Sequence, residues 1–133
     1  MGVLIVGETA EPPASAIELE AAGFEVERRV DGPRPVDGTQ EIAEIAGDLR
    51  EFERALEAGS VDAVLIASDS PAALAAVIVA TKMGVPVASL LVPDEASGDG
   101  ANARVIRQLA DAALAPDAEA IMEWARDGYP ARP

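Results

Sequence analysis

Residues 61–91 limit most tightly how this chain folds. Val61-Asp62-Ala63-Val64-Leu65-Ile66-Ala67 is an apolar run that ends at the polar turn Ser68-Asp69-Ser70-Pro71. An Ala/Leu/Val/Ile stretch then reaches Met83, and Gly84-Val85-Pro86-Val87-Ala88-Ser89-Leu90-Leu91 is apolar again. Strand, turn, helix and strand of these lengths make a βαβ unit, with parallel strands and a right-handed crossover. Ser70 is suited to cap the helix, and Pro71 to its first position, where a missing N–H is no loss. Residues 72–80 are apolar on every side. A helix that covers a sheet normally keeps one polar face, so this one is expected to be covered by its neighbours or by a second molecule.

The flanking segments repeat the alternation. Val3-Leu4-Ile5-Val6-Gly7 reads as a strand buried on both faces. Pro12 and Pro13 suit the first turn of a helix carried by Ile17, Leu19 and Ala21 and stopped at Gly23. Residues 24–30 alternate apolar and charged side chains, as at a sheet edge, and 31–38 form a loop rich in Pro and Gly. Thr39 is expected to cap a helix with Ile42, Ile45, Leu49, Phe52 and Leu56 on its core face. Its acidic residues Glu41, Glu44, Asp48, Glu51 and Glu57 read as a solvated face. After a polar loop at 93–100, a helix over 101–111 turns Val105, Ile106, Leu109 and Ala110 to the sheet. A short strand at 112–115 and a last helix at 117–127, holding Ile121 and Trp124, complete the chain. Strands alternating with helices and no hairpin signal predict an α/β fold. It is a three-layer, doubly wound parallel sheet of about five strands, order 2-1-3-4-5, flavodoxin- or Rossmann-like, with 1–133 as a single domain.

Composition narrows function mainly by exclusion. The chain has no Cys and no His, which removes disulfides, thiol nucleophiles and imidazole acid–base chemistry. The formal charge is −14, with Lys82 the one lysine among ten basic residues, so nucleic acid and anionic membrane are repelled. That surface fits either an acidic surface kept for solubility or adaptation to salt. No apolar run approaches the roughly 20 residues that span a bilayer, and the start of the chain lacks the basic residues of a secretory signal. A soluble cytoplasmic protein is expected.

The strand order locates a ligand site before any chemistry is considered, because clefts in such sheets open beyond the carboxyl ends of the strands where the order reverses. The turns there are Gly7-Glu8-Thr9 and Ser68-Asp69-Ser70, and these six residues are the candidate ligand-binding set. Both precede helix N-termini, which favour anions, yet Glu8, Glu11 and Asp69 bring negative charge to the same place. No dinucleotide fingerprint follows the first strand and no Walker loop is present, so no cofactor is expected. Asp69 also suits a capping role. Asp94, Glu95 and Asp99 carry the oxygen ligands of a hard cation, but acidic loops are common in so acidic a chain, and no metal is expected.

Residues 56–130 resemble the second part of the N-terminal domain of the non-hydrolysing UDP-N-acetylglucosamine 2-epimerases, two-domain enzymes of glycosyltransferase-B architecture. Asp62-Ala63-Val64-Leu65-Ile66-Ala67-Ser68-Asp69 is similar to the family's x-D-x-V-L-V-x-G-D strand, and Val85-Pro86-Val87-Ala88-Ser89 to its I-P-V-A-H strand. Asn102 to Asp117 loosely matches N-R-x-L-I-D-x-L-A-D-x-x-F-A-P-T, and Trp124 to Pro130 looks like L-L-R-E-G-x-P. Before Leu56 the likeness is thinner. The apolar outer face of residues 72–80 predicts a homodimer through helix 71–83, with Val77 or Ile78 at the contact; the resemblance implies the same, since epimerases of this family associate through N-terminal domains.

Departures from the family pattern carry the functional expectation. The turn Gly7-Glu8-Thr9-Ala10-Glu11 lacks the Arg of G-T-R-P-E. Leu91 stands at the catalytic Glu of H-V-E-A-G-L-R, Asp99 and Gly100 at the acidic pair of P-E-E-x-N-R, and Ala103 at that motif's Arg. Asp69 alone of these positions keeps the family residue, and the family's C-terminal UDP-binding domain has no counterpart in these residues. Epimerisation needs positioned carboxylates and a phosphate clamp, so no catalytic residue is expected. The reading is a stand-alone, non-catalytic epimerase-like domain that acts as a binding or interaction module. The alternatives are one subunit of a split enzyme completed by a second nucleotide-binding chain, or an unrelated flavodoxin-like small-ligand binder.

Overall fold

The computed structural model describes residues 1–8, 14–91 and 100–131. Among these described residues five strands alternate with five helices: β1 (Gly2–Glu8), α1 (Ala14–Ala21), β2 (Glu25–Val30), α2 (Gly38–Glu57), β3 (Ala63–Ile66), α3 (Pro71–Met83), β4 (Val87–Ser89), α4 (Ala101–Leu109), β5 (Ala112–Ala113) and α5 (Ala118–Arg126). All strand pairs are parallel, in the order β2-β1-β3-β4-β5. This is the doubly wound α/β architecture that the sequence predicts.

The continuous apolar strands are explained by two separate cores. Successive side chains leave a strand on opposite faces, and here each face meets helices. Leu4, Val6, Val64 and Ile66 pack with α2, α3 and α4. Val3, Ile5, Ala63 and Leu65 pack with Leu19 of α1 and Ile121 and Trp124 of α5. The second core is closed at its end by the indole N–H of Trp124, which donates to the Pro130 carbonyl at 3.0 Å. Tyr129 stacks edge-on against the same indole, with ring centroids 5.0 Å apart. Burial, and secondarily the Asp62 carboxylate, hold the Tyr129 phenol above its ordinary pKa of 10.0.

Helix α3 begins as expected, with Ser70 Oγ accepting from Ala73 N at 3.1 Å and Pro71 in the first turn. Its all-apolar surface is largely covered by the chain itself. Ala72, Ala73, Ala75, Ala76, Val77, Val79 and Ala80 are buried between the sheet, α2 and α4, and only Leu74 and Ile78 stay half-buried on the outer side. Val77, fully enclosed, is therefore unavailable as a contact for a second molecule.

Several local expectations are corrected. Asp37, not Thr39, caps α2: its Oδ1 accepts from Gln40 N at 2.9 Å, while Gln40 Oε1 accepts from Val36 N at 2.6 Å. Ile42 lies on the apolar stripe of α2 but is 69% exposed, because the first turns of this 20-residue helix extend beyond the layer beneath. Ile17 and Val105 are also exposed, leaving Ala16 and Leu19 to anchor α1, and Ala103 and Ile106 to anchor α4. Pro12 and Pro13, expected in the first turn of α1, lie outside the described residues. Strand β2 is an edge strand, as its alternation implies. Among the described residues no helix is long and apolar enough to cross a membrane.

Candidate ligand-binding cleft

The turns after β1 and β3 meet, and a glycine allows it. Gly7 has φ +99°, in the region L side chains avoid, and sits where the pairing of β1 with β2 slips by one residue. A Cβ placed there would overlap Ser68 Oγ and lie 2.8 Å from Ser68 N. Ser68 fits against this bare backbone and donates through Oγ to Asp31 Oδ2 at 2.8 Å; the same Oγ accepts from Ser70 N at 3.3 Å. The hydroxyl thus ties the loop after β2 to the turn that starts α3. Asp31 Oδ1 is enclosed without a hydrogen-bond partner among the described residues, a feature uncommon among buried polar atoms.

On the other side of Ser70, Asn102 at the start of α4 donates through Nδ2 to the Asp69 carbonyl and to Glu41 Oε1, each at 3.2 Å. One amide therefore links α4, the β3–α3 turn and α2. Since Ser70 is the cap of α3, the Asp69 carboxylate is not used for capping; it stands beside Gly100, where an added Cβ would come within 3.7 Å of Oδ2.

These groups border an open cleft of about 1040 Å3, walled by the loop after β2, the first half of α2, the turn 68–70 and the start of α4. Of the six candidate residues, Ser68, Asp69 and Ser70 line it, Gly7 backs Ser68, and Glu8 ends β1. Thr9 lies outside the described residues, as do Glu11, Asp94, Glu95 and Asp99. Among the described residues no group of three acidic side chains is arranged to hold a metal ion. Asp31, Glu41, Glu44, Asp48, Glu51 and Asn102 also line the cleft, beyond the set that strand order points to. Asp31 carries a usable signal: it follows the edge strand directly, and every strand-to-helix loop of a parallel sheet emerges at the same edge. Part of the acidic face of α2, which reads in the sequence as merely solvated, is a wall of the site.

The cleft is strongly acidic. Among the described residues that line it the basic ones are Arg29 and Arg34, and Arg29 is occupied: it bonds Asp48 at 2.9 Å and Glu51 at 2.7 Å, with its guanidinium 5.5 Å from the Phe52 ring centroid. Fourteen uncompensated negative charges repel one another, and salt screens them over about 10 Å at 0.1 M. The melting temperature is therefore expected to rise from low to molar sodium chloride. A flat or falling curve would count against this account.

A single parallel sheet in this order, with helices on both faces and a cleft at the carboxyl edge, defines a Rossmann-like α/β domain. Within that class, the fold is similar to solved UDP-N-acetylglucosamine 2-epimerases. The Methanocaldococcus jannaschii enzyme in complex with UDP-GlcNAc and UDP matches 96% of this chain and 44% of its own at TM-score 0.64 and 19% identity. The Neisseria meningitidis enzyme bound to UDP-GlcNAc matches 98% and 44% at TM-score 0.62 and 19% identity. The Staphylococcus aureus MnaA–UDP structure matches 96% and 41% at TM-score 0.63 and 18% identity. The chain thus spans less than half the length of these proteins and corresponds to an N-terminal-like domain of them. No protein-family model and no curated protein matches the sequence.

Proposed function

We propose that this domain is a non-catalytic relative of the epimerase N-terminal domain and works as a binding or interaction module, with the cleft around Ser68, Asp69 and Ser70 as its ligand site. The observation that carries this reading is the chemistry at the positions matched to the family's functional groups. Leu91 is half-buried and packed against the α3-side core, Ala103 is 2% exposed, and Gly100 has no side chain. None of the three has a side chain that can move a proton or pair with a phosphate. The cleft's negative charge further opposes a diphosphate unless a cation accompanies it.

Partner contact is part of the proposal. Leu74 and Ile78 remain half-buried on the outer side of α3, an apolar stripe suited to a second copy of the chain about a two-fold axis. The span of 41–44% of the compared structures favours one other reading, in which a second nucleotide-binding chain completes a split enzyme.

The purified protein is expected not to interconvert UDP-N-acetylglucosamine and its manno epimer, followed by NMR at high protein concentration. Turnover above a heat-killed control would overturn the non-catalytic reading. Turnover that appears only with a co-purifying α/β chain would establish the split enzyme in its place.

A further inference from the structure

Helix α2 repeats one pattern at an interval of seven residues: Glu41-Ile42-Ala43-Glu44-Ile45 and Asp48-Leu49-Arg50-Glu51-Phe52 each run acidic, apolar, a third residue, acidic, apolar. Seven residues is close to two turns, so the two sets share a face of the helix about 10 Å apart. All four carboxylates line the cleft. The second set is filled. Arg29, near the end of β2, donates through Nη1 to Glu51 at 2.7 Å and through Nη2 to Asp48 at 2.9 Å, with its guanidinium over the Phe52 ring. One planar fork thus spans two carboxylates and rests on the apolar residue that follows them.

The first set has the same spacing, with Ile45 packed against the same core as Phe52. It holds no cation. Among the described residues Glu41 accepts from the Asn102 amide at 3.2 Å, and Glu44 has no hydrogen-bond or ion-pair partner. Arg34 does not fill the place: exposed between Pro33 and Pro35, it bonds neither carboxylate. Facing this part of α2 across the groove, Val30 is 38% exposed and stands with Pro33 and Pro35. Apolar surface therefore lies beside unpaired negative charge, which matches a long cationic side chain, methylenes on the one and head on the other. A purely apolar or an acidic occupant would strip water from the carboxylates and give nothing back. The geometry points to Glu41 and Glu44 as the receptor for an arginine side chain of a partner protein, seated one repeat along α2 from the chain's own Arg29. This rests on the reading of the cleft as the site of an interaction module, and names the chemistry of the partner.

The test is a titration of the 15N-labelled full chain with a blocked alanine peptide carrying three arginines, and with versions carrying lysine or citrulline instead. The arginine peptide is expected to shift amides of residues 30–35 and 41–45, the lysine peptide to bind several-fold more weakly, and the uncharged citrulline peptide not to bind. Glu41→Gln with Glu44→Gln should weaken the arginine peptide at least about tenfold. Glutamine keeps the shape and the acceptor for Asn102, and the same spectra show that the variant is folded. Glu18→Gln with Glu20→Gln removes the same charge from exposed positions on α1 and should cost less than about twofold. Equal losses in the two double variants, equal affinity for the lysine peptide, or no binding at millimolar peptide would overturn the inference. So would binding that appears only after Arg34→Gln, which would give the place to the chain's own loop. The epimerase assay is independent: failure here without turnover strikes the arginine receptor alone, and turnover strikes the non-catalytic reading whatever the peptide does.

Discussion

Val77→Asp is expected to leave a chain that does not fold, whereas its neighbour Ile78→Asp leaves a folded one. Val77 is fully enclosed between α3 and its surroundings, in a core that holds no basic group among the described residues. A carboxylate there has no partner and no water, and it also forfeits the apolar burial of valine. The combined cost is on the order of 5 kcal/mol or more, which rivals the roughly 5–15 kcal/mol that holds a whole domain together. Ile78 faces outward and half-buried, so the same change there costs only part of a side chain's transfer energy, about 1–2 kcal/mol. Far-UV circular dichroism and urea titration distinguish the two. If α3 also seats a second copy, Ile78→Asp should sediment as a folded monomer while the parent sediments as a dimer. A parent protein that is monomeric at micromolar concentration would sink the dimer and leave the folding contrast intact.

Gly7→Ala should be the most damaging single-methyl change near the cleft. The new Cβ meets Ser68 Oγ, Cβ and N at once, the last two at 2.8 Å, and those two atoms cannot move aside by rotating a side chain. Strain at positive φ adds about 1–3 kcal/mol, and forced repacking about the same again. The melting temperature should fall by roughly 10–20 °C at this chain length. Gly23→Ala is the control, since Gly23 has φ +97° but a methyl group added there would meet nothing within 4 Å. It should show the backbone strain alone, and the difference between the two variants measures the steric contact. Equal losses would mean that Ser68 yields without cost.

Much of the fold is legible because strands and helices write different periods into the sequence. The unbroken apolar runs at Val3–Val6 and Val64–Ile66 announce strands covered on both faces, and the charged alternation of β2 announces an edge. Periodicity tells which side of a helix is apolar, but not how far the helix runs past the layer it covers, so it places Ile42 and Val105 in the core although both are exposed. Asp37 and Thr39 are both good caps, and only the start of the helix at Gly38 decides between them. In the cleft, strand order alone points to Ser68, Asp69 and Ser70, which line it. The contribution of Glu41, Glu44 and Asn102 depends on contacts between segments up to 61 residues apart, which spacing along the chain does not encode.

The two margins of the sheet stop further strands from joining by different means. An unpaired strand edge is a template for another chain's backbone. At one margin β2 is six residues long, but Glu25, Glu27, Arg28 and Arg29 set charge along it, so an incoming strand would have to strip water from those groups before forming its first bond. At the other, β5 offers two residues, Ala112 and Ala113, too short a rail for a register to take hold. Cross-β growth is therefore blocked by charge at one side and by brevity at the other. Neutralising Glu25 and Glu27 would open only the first route.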